Sequence, residues 1–377
     1  MKVAFYAPLK SPDHPVPSGD RLIARMLIRA LEAGGHEVRM ASKLRTFDRD
    51  GDPIRQQRLA RLGAWQAARI KRRVAASGWR PDLWLTYHLY HKAPDWIGPP
   101  VARSLGIPYC VAEASSSPRQ RDGKWAEGHR AVADALGRAA LVININPKDE
   151  AGIRPLIGSQ TRMISVAPFI DGSPFRAARL RREEHRASLT ARHSFDPDQP
   201  WLLAVGMLRQ GDKAASYEIL ACAASMLKDR PWQLIVVGDG EARGEVERKF
   251  AVLGERIRFV GEQSGEAVAQ FMVAADILVW PAINEAIGLV FIEAAMAGLP
   301  VVGADRPGIA AVVPNGNTGL LVPEGDAVAF AAATARLLDN IELRLAMGAA
   351  AANRAVTQNE LGSAGVHFCQ ELEKVQR

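Results

Sequence analysis

The sequence predicts an α/β chain of two doubly wound domains facing a central cleft. Three observations carry that expectation: a length of 377 residues, two successive series of short apolar strands alternating with helical patterns, and a densely charged stretch between the series. A chain of this length exceeds one ordinary α/β domain and suits two. Strand alternating with helix implies a parallel sheet covered on both faces. The predicted domains are 1–170 and 171–360. A last helix over 361–377 either packs back on the first domain or belongs to the second.

The first series opens with a strand over Val3–Tyr6, followed by a Pro/Gly loop from Pro8 to Gly19. Leu22, Ile23, Met26, Leu27, Ala30 and Leu31 then recur at helical spacing, and Gly34-Gly35 ends that helix. Further strands are expected at Glu37–Ala41, Leu83–Thr86, Pro108–Ala112 and Leu141–Ile145. Residues 164–175 read as a strand end and a Pro/Gly-punctuated connection. The charged stretch Arg176–His193 reads as an exposed linker helix or loop. The second series has strands at Trp201–Val205, Gln233–Val237, Ile257–Val260, Ile277–Trp280, Leu299–Gly303 and Gly319–Val322. Helical patterns at Ala214–Leu227, Glu266–Ala274 and Val290–Ala297 separate several of them. Ligands of such sheets sit beyond the carboxyl ends of the strands.

Apolar residues make up 48% of the chain and charged residues 24%, a globular balance with enough apolar material for two cores. Nothing approaches an 18-residue uncharged apolar run, so no spanning helix is expected. The opening MKVAFYAPLKSPDHP has too short an apolar stretch for a secretory signal. The expected location is cytoplasmic, with an option of peripheral attachment to the inner face of the membrane. Cys110, Cys222 and Cys369 are odd in number and lack CxxC spacing, so all three are expected as buried thiols.

Net charge is +7, unevenly spread. Residues 1–170 hold 27 Lys and Arg against 15 Asp and Glu, while 171–377 hold 21 against 26. The excess concentrates between Arg39 and Arg73, around Arg55, Arg58, Arg61, Arg69, Lys71 and Arg72. Such a face attracts phosphate, on lipid headgroups, nucleic acid or an anionic acceptor. Trp65 and Trp79 flank the run, which favours a membrane surface. A solvated helix face is the plainer alternative.

The most informative stretch is Pro281-Ala-Ile-Asn-Glu-Ala-Ile-Gly-Leu-Val-Phe-Ile-Glu-Ala-Ala-Met-Ala-Gly-Leu-Pro300. It leaves a buried strand, turns through small residues and enters a helix near Leu289. A helix start offers free N–H groups and partial positive charge, suited to a diphosphate. Gly288 lets a ligand approach that backbone closely. Glu285 precedes the helix start and Glu293 lies inside it. Eight helical residues rise ~12 Å, an upper bound that matches the reach from a donor sugar to a nucleotide ribose. A carboxylate at each end accepts hydrogen bonds from sugar and ribose hydroxyls.

With these residues the chain resembles the large family-4 group of retaining glycosyltransferases of the GT-B fold, which pairs two Rossmann-like domains. Glu285, Glu293 and Gly298-Leu-Pro-Val-Val302 match its E-x7-E signature and the segment that follows. So do Val236-Val-Gly-Asp-Gly240, Arg258-Phe-Val-Gly261, Ala275-Asp-Ile-Leu-Val279 and Asn317-Thr-Gly-Leu-Leu-Val322. The match is dense over about 200–335 and thinner over 1–170. The resemblance implies that Glu285 contacts donor-sugar hydroxyls and Glu293 the ribose. Ile287, Gly288, Leu289, Gly261 and Glu262 complete the expected donor contacts.

After the strand Trp201–Val205 stands Gly206-Met-Leu-Arg-Gln-Gly-Asp-Lys213. Arg209 and Lys213 are expected to hold the pyrophosphate and stabilise charge that grows on it as the glycosidic bond breaks. The alternative is two surface cations on a turn. The family usually has Arg where Met207 stands, and Arg209 is read as its replacement. In the first domain the loop Pro17-Ser-Gly-Asp20 resembles the family's Gly-containing loop, with Gly19 near the donor phosphates. The family often places a His after the strand corresponding to Pro108–Ala112. Glu113 stands there and is read as its substitute in contacting the donor sugar or the acceptor hydroxyl, unless the alignment slips and His88 or His91 is the cleft residue.

Two other motifs carry no site. Asp48-Arg-Asp-Gly-Asp52 fails as a calcium loop and reads as an exposed turn. In Gly238-Asp-Gly-Glu-Ala-Arg-Gly244 the third Gly comes one residue late for a dinucleotide fingerprint. The resemblance implies hexosyl transfer from a nucleotide sugar to a lipid-linked or saccharide acceptor with retention of configuration, in glycolipid or cell-envelope polysaccharide synthesis. It implies no cofactor, no metal and no nucleic acid. The alternatives are a nucleotide-sugar epimerase of the same fold and a non-catalytic sugar-nucleotide-binding partner.

Overall fold

Each half of the chain builds one six-stranded, wholly parallel sheet. The computed structural model describes residues 1–16 and 18–376, so Pro17 of the expected loop 17–20 lies outside the described residues. The chain divides into two units, one formed by Met1–Phe169 with the segment from Leu361, the other by Ile170–Glu360.

In the first unit the strands are β1 (Lys2–Tyr6), β2 (Glu37–Ser42), β3 (Leu83–Leu89), β4 (Tyr109–Ala114), β5 (Leu141–Asn144) and β6 (Arg162–Ser165). Their order across the sheet is β2-β1-β3-β4-β5-β6. Helices α1 (Gly19–Ala33), α2 (Pro53–Ser77), α3 (Gly98–Leu105), α4 (Ala126–Gly137) and α5 (Glu150–Ile153) connect them. Strands β3, β4 and β5 are buried almost throughout, hence their near-continuous apolar runs. Helix α1 starts where the Ser18 side chain accepts from Arg21 N–H, and it buries Ile23, Met26, Leu27, Ala30 and Leu31.

The second unit begins with α6 (Ser173–Arg179) and α7 (Arg182–His193). Its strands are β7 (Trp201–Val205), β8 (Gln233–Val237), β9 (Ile257–Gly261), β10 (Ile277–Trp280), β11 (Val301–Ala304) and β12 (Gly319–Val322), in the order β12-β11-β10-β7-β8-β9. Between and after them come α8 (Asp212–Ser225), α9 (Arg243–Phe250), α10 (Gly265–Ala274), α11 (Leu289–Ala297), α12 (Pro307–Ala310), α13 (Ala327–Leu338) and α14 (Ile341–Gln358). Helix α15 (Val366–Glu373) is part of the first unit. Its Cys369 thiol donates to Ala30 O, and Phe368 lies 6.2 Å from Phe169 ring to ring.

Both sheets reverse direction once. The first does so between β1 and β3, the second between β7 and β10. Chains leaving two such strands run to opposite faces, which opens a crevice beyond their carboxyl ends.

Three expectations are corrected. The stretch 176–193 is not a free linker. Leu189 is buried, and the Arg186 guanidinium stacks 4.2 Å over Trp201 while bonding Asp276 and the Ala274, Pro197 and Gln199 carbonyls. Arginine stems cover apolar surface while their heads find acceptors, so a charged sequence can hide an anchored helix. Cys222 is exposed, on the outer side of α8. Asp48 is buried and accepts from Gln56 Nε2, while Asp52 caps α2 through Ile54 N–H, so 48–52 is a helix entry and not an exposed turn.

Candidate functional site

Two loops flank the switch point of the second sheet, 206–211 after β7 and 281–288 after β10. The second is unusual in its backbone. Ala282 (φ 55°), Asn284 (φ 51°) and Gly288 (φ 68°) all lie in the left-handed region. Side chains with no obvious sequence signal hold it there. Ser216 Oγ accepts from Ile283 N–H at 3.0 Å, and Glu324 Oε1 accepts from Asn284 N–H at 2.6 Å. Arg306 bonds the Glu285 carbonyl at 3.0 Å and pairs with Glu324. Strain this closely supported is typical of ligand-binding loops.

Gly288 caps α11, and a Cβ there would come within 2.6 Å of the Phe291 ring. The first N–H groups of α11 face the loop without intrahelical acceptors. Glu285 is half-buried, and its Oε2 lies 2.5 Å from Lys213 Nζ. That ammonium also sits 5.0 Å over the Trp280 ring. Lys213, on the first turn of α8, is therefore paired and not a spare cation. Ile287 is buried and Leu289 partly so, which leaves them backbone and shape roles at the helix start.

Glu293, one turn into α11, has no ion pair or hydrogen bond to its side chain among the described residues. Burial pushes its carboxyl up to about 7. A half-buried carboxylate without a protein partner is suited to a ligand's hydroxyls. Arg209 is half-buried, and its guanidinium likewise meets no acceptor among the described residues.

Two glycines explain how Arg209 is placed. A Cβ on Gly238 would fall 2.0 Å from Gly206 O, and one on Gly240 would fall 2.3 Å from Leu208 O. The loop after β8 thus lies directly on the loop after β7, fixed by Leu208 N–H to Asp239 O and Ala242 N–H to Leu208 O. Gly238 and Gly240 are packing glycines, which accounts for a motif that only imitated a dinucleotide fingerprint. Gly261 ends β9 with φ 76°, and its carbonyl accepts from Gly238 N–H. Glu262 is exposed beside it.

In the first unit, Gly19 is the first residue of α1, beyond the carboxyl end of β1. Glu113, on β4, is buried with φ 61°. His88, on β3 with φ 59°, is paired with Asp20 at 2.8 Å. Burial opposes the charge on His88, but Glu113 and Asp20 outweigh it and raise the imidazole to about 9. His91 instead packs 5.4 Å from Trp125, and burial lowers it to about 4. Of the two histidines, His88 is the one gathered with Glu113. Asp20 was missed from sequence because its partner lies 68 positions away.

Comparisons with known proteins bear on the family and the fold. Residues 199–340 match the family described as glycosyl transferases group 1. The chain is 29% identical over 279 residues to an alpha-D-kanosaminyltransferase of Streptomyces kanamyceticus, covering 70% of each chain. Sucrose-phosphate synthase from Thermosynechococcus elongatus superposes with a TM-score of 0.74 at 23% identity, covering 100% of this chain and 99% of the other. HepE of Anabaena, solved in complex with UDP, also gives 0.74 at 16% identity over 99% of this chain and 100% of that one. The strand topology, the loop–helix unit after β10 and these likenesses lead to one conclusion: the chain has the GT-B fold, and its second unit is built around a group 1 glycosyltransferase domain.

Proposed function

We propose that this chain is a retaining, family-4 glycosyltransferase of hexosyl type that takes its sugar from a nucleotide-sugar donor. The observation that carries the reading is the loop–helix unit 281–293. It combines a strained, braced loop, a helix start, a paired carboxylate before it and an unpartnered, half-buried carboxylate inside it. In this reading Glu293 accepts from the ribose hydroxyls and Glu285, oriented by Lys213, accepts from the sugar. Ile287, Gly288, Leu289, Gly261 and Glu262 border the donor. The complex of HepE with UDP supports a uridine nucleotide as the first donor to try.

The chemistry follows from charge. The bond from the anomeric carbon to the diphosphate oxygen breaks, and its electron pair leaves with the diphosphate. Arg209, Lys213 and the N–H groups at the start of α11 stabilise the growing negative charge. The acceptor hydroxyl attacks from the same face, and its proton passes to the departing diphosphate oxygen, so configuration is retained. No protein carboxylate needs to form a covalent intermediate, and the reading uses no metal or cofactor.

Peripheral attachment to an anionic inner membrane face belongs to the same reading. On α2, Ile54, Arg58, Arg61, Trp65, Arg69 and Arg72 recur at helical spacing along one exposed stripe, and Trp65 is 53% exposed. Among the described residues no helix is long and apolar enough to cross a membrane.

Thermal shift against UDP-, GDP- and ADP-sugars tests the donor assignment. A ligand at about 100 times its dissociation constant adds ~2.7 kcal/mol of stability, an easily measured rise. One nucleotide series should stabilise the protein, with free epimerised sugar nucleotide absent from the products. No shift with any series would reject the reading.

A further inference from the structure

Three neighbouring strands of the second sheet, β12, β11 and β10, converge on one piece of backbone just beyond their carboxyl ends. The loop 281–288 follows β10, Arg306 follows β11 and Glu324 follows β12. Arg306 Nη1 lies 2.5 Å from Glu324 Oε2, and only 14% of the arginine side chain is exposed. Two further donors of the same guanidinium reach the loop. Nε donates to the Glu285 carbonyl at 3.0 Å and Nη2 to the Asn284 side-chain oxygen at 3.4 Å. Glu324 also accepts from Asn284 N–H at 2.6 Å. A planar fork makes such contacts in fixed directions, which a single ammonium cannot do.

The bond to the Glu285 carbonyl sets the direction of an N–H group. A peptide is planar and trans, so its N–H points opposite to its C=O. With the Glu285 carbonyl turned to Arg306, Ala286 N–H is turned away from it. Gly308 does the same for the next peptide. A Cβ on Gly308 would fall 1.8 Å from Ala286 O and 2.9 Å from Ala286 C, so that carbonyl is aimed at Gly308. Ile287 N–H therefore also points away from the segment after β11.

Neither N–H has an acceptor among the described residues, and the same is true of Gly288, Leu289 and Val290 at the start of α11. Successive free N–H groups in a turn conformation attract anions. The Glu285 side chain is held separately, by Lys213 of α8. One residue thus has its carbonyl fixed from β11 and its carboxylate fixed from α8.

We propose that Arg306 is a positioning residue for the transfer reaction: seated by Glu324, it turns the 285–286 peptide so that Ala286 N–H, beside the Ile287 N–H set by Gly308, faces the donor's diphosphate. The inference rests on the donor assignment above. Arg306 acts through the peptide, and its own charge is met by Glu324.

A direct attraction between Arg306 and the diphosphate makes the opposite prediction for Glu324. Removing the carboxylate partner would then strengthen binding. If Arg306 aims the peptide, Glu324→Ala unseats it and weakens binding, even though the site has lost a negative charge.

The test uses the full chain and its Arg306→Ala, Arg306→Lys and Glu324→Ala variants. Each is titrated with inorganic pyrophosphate, with whichever of UDP, GDP and ADP the parent binds tightest, and with the matching nucleoside. Deuterium uptake over residues 285–290 is followed by mass spectrometry. In the parent, pyrophosphate and the nucleoside diphosphate should both slow exchange in that segment. Arg306→Ala and Glu324→Ala should weaken the nucleoside diphosphate at least tenfold and leave the nucleoside within twofold. Protection of 285–290 should disappear in both, and Arg306→Lys should fall between them and the parent. A merely structural role would weaken nucleoside and nucleoside diphosphate alike. That result, parent-like affinity in Arg306→Ala, tighter binding by Glu324→Ala, or a parent whose 285–290 segment neither ligand protects would overturn the proposal. Protection by pyrophosphate in a protein that binds none of the three nucleoside diphosphates would uphold the aimed peptides and reject the donor assignment.

Discussion

Lys213 Nζ lies 2.5 Å from Glu285 Oε2, joining the first turn of α8 to the loop after β10 across the switch point of the second sheet. The two residues are 72 positions apart, and each would otherwise be a lone charge at a strand end. The pair fixes one carboxylate oxygen of Glu285 and leaves the other without a side-chain partner among the described residues.

If that pair orients Glu285, removing either partner should remove most of what both supply. Lys213→Ala and Glu285→Ala should each weaken donor binding. The double variant should fall short of their sum by about 1 kcal/mol, the scale of coupling between residues in contact. Calorimetric titration of the four proteins closes the cycle. Strict additivity would mean that the two act independently.

Glu293 gives a pH signature. Its folded value of about 7 stands above the ordinary 4.5. The neutral carboxyl is therefore the form the fold tolerates. Its contribution to stability is complete below pH 4.5 and is lost as pH rises through 7. The loss approaches roughly 3 kcal/mol above pH 8, at 1.36 kcal/mol per pH unit. Glu293→Gln should be more stable than the parent at pH 8 and close to it at pH 4, read by urea denaturation. Equal stability gaps at both pH values would place the carboxyl in water.

Arg209 has a guanidinium with no protein acceptor among the described residues, beside a loop fixed by two packing glycines. Arg209→Ala should lower the single-turnover rate at saturating donor by about two orders of magnitude, as loss of one preorganised donor does. Arg209→Lys should recover only part, because a point charge lacks the forked contact. Met207→Arg in the Arg209→Ala background should restore some activity if the family's usual position reaches the same phosphate. Parent-like turnover in Arg209→Ala would shift the cationic role to Lys213.

The two alternating series and the helix after β10 were legible because buried parallel strands are written as apolar runs and helices as spaced ones. The period of α1 picks out Leu22, Ile23, Met26, Leu27, Ala30 and Leu31, and all of these are buried except Leu22, which is half-buried. What escaped was long-range. The Asp20–His88 pair, the Ser216 and Arg306–Glu324 supports of loop 281–288, and the anchoring of α7 by Arg186 all join residues through topology that no local spacing records. Asp48 and Cys222 were misjudged for a related reason: a polar side chain's burial depends on which partner the fold brings to it.

The stripe on α2 makes a salt-dependent prediction. Replacing Arg58, Arg61, Arg69 and Arg72 with Gln should abolish binding to vesicles rich in phosphatidylserine. Parent binding should fall steeply between about 50 and 200 mM salt. Affinity for UDP should be unchanged in the variant. Vesicle binding that neither salt nor the substitutions alter would dismiss the docking role.

In the proposed reading the loop–helix unit after β10 holds the nucleotide half of a sugar nucleotide, with Glu293 on the ribose. Titration of UDP into the parent and into Glu293→Ala at pH 8, each checked for folding, tests it most directly. A charged hydrogen bond is worth ~1.5–3 kcal/mol, so the dissociation constant should rise about ten- to a hundredfold in the variant. Equal affinity in the two folded proteins would contradict the assignment.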